Sequence, residues 1–419
     1  MGQGVLVVFS APQYLRNNDV EHEYRQSSDF FYLTGLDEPS SALVLTAGES
    51  PNYTLFVRPR DKERETWDGP RLGLEGAKAQ LGADQVFDIA ELSKRLPELL
   101  LGYETLYFQL GEFEVNDQCL IRALNMARRQ GRRGRRVPVR LIDASELVHE
   151  MRRIKSDDEL EMMRRACRVT RDAHLEAMKV AAPGKHEYEV EAALRKAFLE
   201  RGSVRVAYAP IVASGPNATI LHYVKNDRLM QEGELLLIDA GCEHSYYASD
   251  VTRTFPISGR FSDPQRRIYD IVLEAQRASI EAVRPGATFN DIHAASLRII
   301  TEGLIDLGFI DGPLEIALSE EKYKPFFMHK TSHYLGMDVH DVGRYFAGEK
   351  PRALDPGVVL TVEPGIYIAR DNHYVPTEYR GIGVRIEDDI LVTASGYENL
   401  TLDIPKDPAE LESFAAAGP

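Results

Sequence analysis

Five side chains in the last 181 residues are of the types that hold divalent metal ions: Asp239, Asp250, His333, Glu363 and Glu387. Each lies in a short apolar or glycine-marked run: LLLIDAG, ASDVTRTF, SHYLG, VLTVEPG and VRIEDD. Burying an unpaired carboxylate is costly, so four acids in such runs require cations or metals as partners. Mostly oxygen ligands with one imidazole suit a hard or borderline ion such as Mn²⁺, Co²⁺, Zn²⁺ or Fe²⁺. Two ions about 3.5–4 Å apart, bridged by carboxylates, would hold a hydroxide at neutral pH, and the reaction class is then hydrolysis of an amide or ester.

The elements that must position these groups are strands. Asp239 ends the run ELLLIDAG and Asp250 lies in YYASDVTRTF. A symmetric hairpin turning between His244 and Ser245 sets the two acids directly opposite each other, with Cβ atoms about 5 Å apart, a destabilising pair without a cation between them. The bland alternative is a surface hairpin with two solvated acids, but LLLI is too apolar for an exposed strand. His333 sits among three histidines in FFMHKTSHYLGMDVHD, with His329 four residues before it and His340 seven after. The i, i+4 pair resembles a helical zinc face, yet no glutamate follows the first histidine and the segment is rich in Thr, Ser, Tyr and Val. Arg385 and Glu387 are two apart in a strand and so share a face; a plain surface ion pair is the alternative. Asp388 and Asp389 are weaker ligand candidates, one facing the wrong side and the other solvated at a strand end.

The whole chain narrows the class. At 419 residues, 43% hydrophobic and 27% charged, it reads as a globular protein of two or three domains. No stretch approaches the ~20 apolar residues of a membrane span. The N-terminal apolar run of five residues has no basic start and reads as a first strand rather than a secretory signal; a natural leader is expected ahead of it. Three scattered cysteines, Cys119, Cys167 and Cys242, make no disulfide framework and fit a reducing cytosol. The net charge of −15 argues against general nucleic-acid binding. Seven arginines between Arg128 and Arg140 carry no interleaved aromatics and read as a solvated helix end and loop.

Residues 1–150 alternate strands (LVLTA, YTLFVRP, TLYFQL) with helices over 90–101 and 117–129, an α/β pattern. Ser156 with Glu159 is a capping box that opens a long amphipathic helix over 157–181, ending at Pro183-Gly184. A helix over 187–201 follows, then strand-rich sequence with helices over 264–283 and 289–307. AAPGKHEYEVEAA and RPGATFNDIHAA each read as helix, Pro-Gly, helix, which points to duplicated half-domains in an α+β unit spanning 151–419.

LLLIDAGCEHSYYASDVTRTFPISGRF, FFMHKTSHYLGMDVHDVG, VLTVEPGIYIA and YRGIGVRIEDDILVT resemble the signature segments of aminopeptidase P within the pita-bread metallopeptidases, and YRQSSDFFYLTGLDEP resembles the N-terminal domain of that branch. The resemblance spans nearly the whole chain. It implies an Xaa-Pro aminopeptidase with two divalent ions, manganese first and cobalt or zinc as alternatives, whose bridging hydroxide attacks the scissile carbonyl. By resemblance Asp239 chelates one ion, Asp250 and Glu387 bridge both, and His333 and Glu363 bind the other. Glu363 is then the proton shuttle. His222, His329 and His340 line the substrate site, Arg385 orients carboxylates or substrate, and Trp67 closes a neighbouring subunit's site unless it is a core aromatic. Lys330 stands where the family often has Gly and Tyr334 where Trp is common, which puts substrate preference in question. The resemblance also implies peptide substrates with proline second, a cytoplasmic homodimer or homotetramer, and no nucleic-acid or membrane partner. A prolidase restricted to dipeptides and a non-catalytic pita-bread binding module are the alternatives; the second loses ligands, and all five are present here.

Overall fold

The computed structural model describes residues 3–48 and 52–416, and its contacts divide the chain into two compact units, 1–152 and 153–419. The first unit is built on a six-stranded sheet: β1 (Gly4–Phe9), β2 (Ala42–Ala47), β3 (Asn52–Val57), β4 (Gln85–Asp88), β5 (Thr105–Tyr107) and β6 (Arg140–Ile142), in the order β4-β3-β2-β1-β5-β6. β1–β2 and β2–β3 pair antiparallel, and the outer pairs are parallel. Apolar residues alternate between the two faces: Ala42, Val44 and Phe56 pack in one cluster, Leu43, Leu55 and Val57 in another. Both faces of the sheet are therefore covered, as an α/β unit requires. Helices α1 (Lys62–Asp68), α2 (Leu92–Leu99) and α3 (Glu114–Gly131) belong to this unit. α3 starts three residues before its expected place because Glu114 and Asp117 fill its first turn, where acids suit the free N–H groups. The Arg-rich segment begins on its last turn, at Arg128 and Arg129.

The second unit opens with α4 (Asp157–Val180), whose capping box of Ser156 and Glu159 is present as expected. Leu160, Met163, Cys167, Thr170, His174 and Ala177 are buried at spacings of three and four, the core-facing stripe of an amphipathic helix. α5 (Glu187–Glu200), α6 (Asp263–Glu281) and α7 (Phe289–Asp306) follow within two residues of their expected bounds.

The duplication runs deeper than helix pairs. Gly184 and Gly286 both sit at positive φ, +84° and +86°. Gly184 donates to the Met230 carbonyl and Met230 donates back to Lys185; Gly286 donates to Leu354 and Leu354 donates back to Ala287. Three residues past each of these partners begins a related segment, GELLLIDAG from Gly233 and GVVLTVEPG from Gly357. These segments carry β8 (Leu235–Asp239) and β12 (Val359–Val362), and their acids Asp239 and Glu363 occupy matching positions. β8 lies between β7 (Ile211–Ser214) and β11 (Thr252–Pro256), while β12 pairs with β15 (Asp388–Val392).

Between β8 and β11 lies a small hairpin of β9 (Cys242–His244) and β10 (Tyr247–Ala248). It turns at Ser245-Tyr246, both at positive φ (+50° and +71°), one residue later than expected. A one-residue move of the turn shifts the register by two, so Asp239 stands opposite Thr252 rather than Asp250. Asp250 lies in the irregular return between β10 and β11. The facing acid pair occurs in the other half instead. The ladder Val362↔Asp388 and the ladder Gly365↔Arg385, between β13 (Gly365–Tyr367) and β14 (Gly383–Arg385), keep one register. Glu363 and Glu387 oppose each other in the unpaired step between them.

Candidate metal centre

The acids converge because the chain leaves regular structure where each of them sits. Gly241 makes this possible in the first half: a Cβ there would meet the Ser249 carbonyl oxygen at 1.7 Å, so only glycine lets the return carrying Asp250 close over β8. In the second half, the segment 331–333 runs beside β12. Glu363 donates its backbone N–H to Thr331 O at 2.8 Å and Thr361 donates to His333 O at 3.0 Å, which places the imidazole next to the Glu363 carboxylate. Glu387 N donates to Thr252 O at 3.0 Å and ties the two halves together beside the acids.

His333 Nδ1 lies 2.9 Å from the Tyr334 carbonyl, a hydrogen bond that directs Nε2 at the acids. Nε2 is 3.4 Å from Asp250 Oδ2 and 3.6 Å from Glu363 Oε1. These separations exceed the usual ~2.9 Å hydrogen bond and lie within about 0.1 Å of the roughly 3.0–3.5 Å between two ligands that share an ion at 2.0–2.2 Å. Ligand atoms of Asp250, His333 and Glu387 all fall within 4.8 Å of one another. Asp239 Oδ2 accepts from Arg385 at 2.6 Å, while Arg385 Nε and Glu387 Oε2 both bond the Thr252 hydroxyl, at 3.1 and 2.7 Å.

Charge decides the fit. The single Tyr208 hydroxyl lies 2.5 Å from both Asp239 Oδ1 and Asp250 Oδ1, and one proton cannot serve two ionised carboxylates. Among the described residues, the cations that act on the four acids are Arg385 and, when protonated, His333, so two negative charges stay unmatched at the acids themselves. The protonation equilibria record this. Burial and the neighbouring acids Asp250, Glu363 and Asp239 push Glu387 well above the carboxylate range, and burial with Asp250 raises Asp239. Burial lifts Glu363 to about 7 against the pull of His333 and Arg385. Burial opposes charge on His333, yet the Asp250 carboxylate 3.4 Å away and the Glu363 charge raise it to about 9. Tyr208 rises through burial and the Asp239 and Asp250 charges. A donor set of oxygens and one imidazole, short of positive charge, fits hard divalent metal.

Asp239, Asp250, His333, Glu363, Glu387, His222, His329, His340 and Arg385 all line one cavity of about 510 Å³, with Lys330 among them. His329 Nε2 accepts from the Tyr367 hydroxyl at 2.8 Å, and burial with the nearby Arg385 cation lowers its pKa to about 4, so it stands neutral. The His340 ring packs edge-on to His333 at 4.4 Å between centroids, and its pKa is lowered by burial and by His333. The buried Lys155–Asp341 ion pair (2.9 Å) anchors the loop beside it. His329 and His333 lie outside any helix, so the zinc-helix reading does not hold. Trp67 stands on α1 in the first unit at 84% exposure and is not a core aromatic.

Of Asp388 and Asp389, one is expected to face away from the ligand set and the other to be solvated at a strand end; both are fully buried, so the solvated reading does not hold. Asp388 is ionised between Arg253 (2.7 Å) and Lys406, its pKa held down by those cations against burial. Asp389 accepts from the Asp250 backbone N–H at 3.1 Å and lies 3.4 Å from the Cys167 sulfur; burial and the Asp250 charge raise it well above the carboxylate range. Sequence reasoning missed Tyr208, Tyr367 and Thr252. Only Thr252 left a signal, two residues from Asp250 in the same run.

Residues 161–394 match the model of metallopeptidase family M24, and residues 1–107 match the N-terminal domain of aminopeptidase P. The chain is 44% identical over 413 residues to the Xaa-Pro aminopeptidase of Escherichia coli (strain K12), covering 98% of this chain and 93% of that one. It is 36% identical to Xaa-Pro aminopeptidase 3 of Homo sapiens, over 98% of this chain and 80% of the relative. It superposes on Pseudomonas aeruginosa aminopeptidase PepP with a TM-score of 0.97 at 47% identity, covering 100% and 95% of the two chains. On zinc-substituted Escherichia coli aminopeptidase P in complex with product the values are 0.96 and 43%, covering 100% and 95%. The second unit thus has the pita-bread fold of these neighbours, and the chain belongs to metallopeptidase family M24, in the branch that carries the aminopeptidase P N-terminal domain.

Proposed function

We propose that the chain is an Xaa-Pro aminopeptidase, releasing the N-terminal residue of peptides whose second residue is proline. The observation that carries this is the convergence of all five ligand-type side chains and three further histidines on one cavity, in a chain 44% identical to an Xaa-Pro aminopeptidase over nearly its full length. A prolidase is the less favoured reading.

Asp239 would hold one ion, Asp250 and Glu387 both, and His333 and Glu363 the other. Two divalent ions there supply Lewis-acid polarisation of the scissile carbonyl and a nucleophilic water at neutral pH. The chain's own groups do the rest. Glu363, beside His333 on the cavity wall, would take a proton from the attacking water and pass it to the proline nitrogen as the bond breaks. His222 and His340 offer exposed imidazoles at the cavity wall, one of which hydrogen-bonds the developing oxyanion. His329, neutral and braced by Tyr367, presents a ring face to the proline. The Xaa-Pro amide has no N–H and a fixed φ, so a pocket that grips the ring succeeds where backbone-reading peptidases fail. Arg385 orients Asp239.

Manganese is the ion this reading favours, with cobalt or zinc as substitutes. The reading also includes a cytoplasmic homodimer or homotetramer in which Trp67 reaches a neighbouring subunit's site, a catalytic domain beginning near residue 150, and no nucleic-acid or membrane partner. Among the described residues no helix is long and apolar enough to cross a membrane. The test is turnover of an Xaa-Pro-Yaa peptide panel beside Xaa-Pro dipeptides, with metal analysis of the same sample. Cleavage of tripeptides and longer peptides, dependent on added Mn²⁺, is expected; strict dipeptide specificity would overturn the reading in favour of a prolidase.

A further inference from the structure

Two permanent cations line the catalytic cavity, and they are used differently. Arg385 is buried and committed to Asp239, Thr252 and Tyr367 at 2.6–3.1 Å. Lys330 is exposed, and among the described residues its ammonium group makes no ion pair or hydrogen bond. Its position is held from the backbone: the Lys330 carbonyl accepts from His329 Nδ1 at 2.8 Å, and Thr331 beside it is buried against Ser296 and His293. The cavity therefore has the ligand-type side chains at its buried end and one uncommitted positive charge at its exposed side.

On the Xaa-Pro reading the scissile bond, one residue from the N-terminus, must reach the ligand-type side chains at the buried end of the cavity, so the chain after proline leads outward past the exposed wall. We propose that Lys330 is a specificity-determining residue that anchors a substrate carboxylate on the outgoing side of the proline. The carboxylate is either the C-terminal α-carboxylate of a short peptide or an acidic side chain at the third position. This inference rests on the Xaa-Pro reading of the site and names the substrate class within it: short or acidic Xaa-Pro peptides.

The test crosses substrate with enzyme. Ala-Pro-Ala with a free C-terminus is compared with its amide, and Ala-Pro-Glu-amide with Ala-Pro-Gln-amide, on the metal-loaded wild type, Lys330→Met and Lys330→Glu. The wild type favours the carboxylate-bearing member by about two- to fivefold in kcat/KM, the range of an exposed ion pair. The gain resides in KM and fades as salt is raised. Lys330→Met loses the preference, Lys330→Glu reverses it, and all three keep kcat on the amides. Which pair responds identifies the carboxylate. Calorimetric binding of an uncleavable analogue with a reduced Xaa–Pro bond, as acid and as amide, to the metal-free protein shows the same ordering without turnover. Xaa-Pro turnover with no carboxylate preference, or a preference that survives Lys330→Met, overturns the inference and leaves the activity standing. Absence of any Xaa-Pro turnover in the wild type overturns the functional reading beneath it.

Discussion

The two halves of the catalytic unit share a scaffold and differ in what it carries. Each begins with a capped helix, Ser156 with Glu159 and Ser262 with Gln265, then a Pro-Gly turn, then a second capped helix. Each then delivers an acid at the end of an apolar strand, nine residues past the carbonyl that receives the glycine N–H (Met230 to Asp239, Leu354 to Glu363). The connections differ in length: Met230 follows Gly184 by 46 residues, and Leu354 follows Gly286 by 68. The shorter one carries one cavity histidine, His222. The longer one, with 22 more residues, carries His329, His333 and His340. Duplication placed the acids, and the longer connection supplied the imidazoles.

If both halves feed one centre, losing an acid from either is equally damaging. Asp250→Ala and Glu387→Ala should each lower kcat/KM by roughly a thousandfold, about 4 kcal/mol of transition-state stabilisation, and lower the bound metal, with far-ultraviolet circular dichroism unchanged. Elemental analysis beside turnover checks this. Full turnover in either variant would confine the chemistry to the other half.

A second contrast lies at the matched glycines. A Cβ on Gly241 meets backbone, Ser249 O at 1.7 Å, which cannot move without displacing the return that bears Asp250. A Cβ on Gly365 first meets the Tyr367 hydroxyl at 2.5 Å, the end of a side chain, and then Val384 O at 2.9 Å. Gly241→Ala should therefore cost about 3 kcal/mol or more and Gly365→Ala about 1–2 kcal/mol, measured by chemical denaturation with metal present. Equal losses would mean the first-half return is more pliant than its packing indicates.

Much of this contrast was legible in the sequence and part of it was not. The helix pairs announced themselves through caps and Pro-Gly stops, because capping chemistry is local. The acids stood out because apolar strands make them conspicuous. The hairpin register failed because Ser245 and Tyr246 adopt positive φ without the Gly or Asn that usually marks such a turn. GELLLIDAG and GVVLTVEPG align at both glycines and at the acid, a repeat in plain view yet obscured by the unequal connections. Asp388 and Asp389 were misplaced because their partners, Arg253, Lys406 and Cys167, are far away in sequence and only tertiary packing brings them in.

The metal-free protein should also show a pH signature that sides with the second half. Glu363 has a folded pKa of about 7 against an ordinary 4.5, so its ionisation destabilises the fold as pH rises between those values. His333, raised from 6.5 to about 9, contributes stability that is complete below 6.5 and lost as pH climbs through about 9. Both act in one direction, each by at most about 1.4 kcal/mol per pH unit. The melting temperature of chelator-treated protein should fall from about pH 7 to pH 9, above the range in which His174, His293 and His329, lowered to about 4 by burial, gain stability with rising pH, and the stabilisation by added Mn²⁺ should grow over the same range because the ions replace protons. Below pH 7 the contribution of Glu363 is read as the difference between the unmodified chain and Glu363→Gln, which should widen in favour of the variant from about pH 5 to pH 7. A flat profile in the unmodified, metal-free chain would refute the assignment.

The smallest effect asks whether the halves are separable. Ser156 and Ser262 play the same part at the start of the first helix in each half, accepting from Glu159 N at 3.4 Å and Gln265 N at 3.5 Å. Each Ser→Ala change should cost about 1 kcal/mol. The hydroxyls share no partner, so the double variant should lose the sum within about 0.5 kcal/mol, provided both halves unfold in one transition. Cooperative unfolding is what the cross-links between the halves imply: Glu387 N to Thr252 O, Arg253 to Asp388, and Asp250 N to Asp389. Two resolved transitions, each moved by only one of the substitutions, would show instead that the halves fold as independent units joined only at the acids.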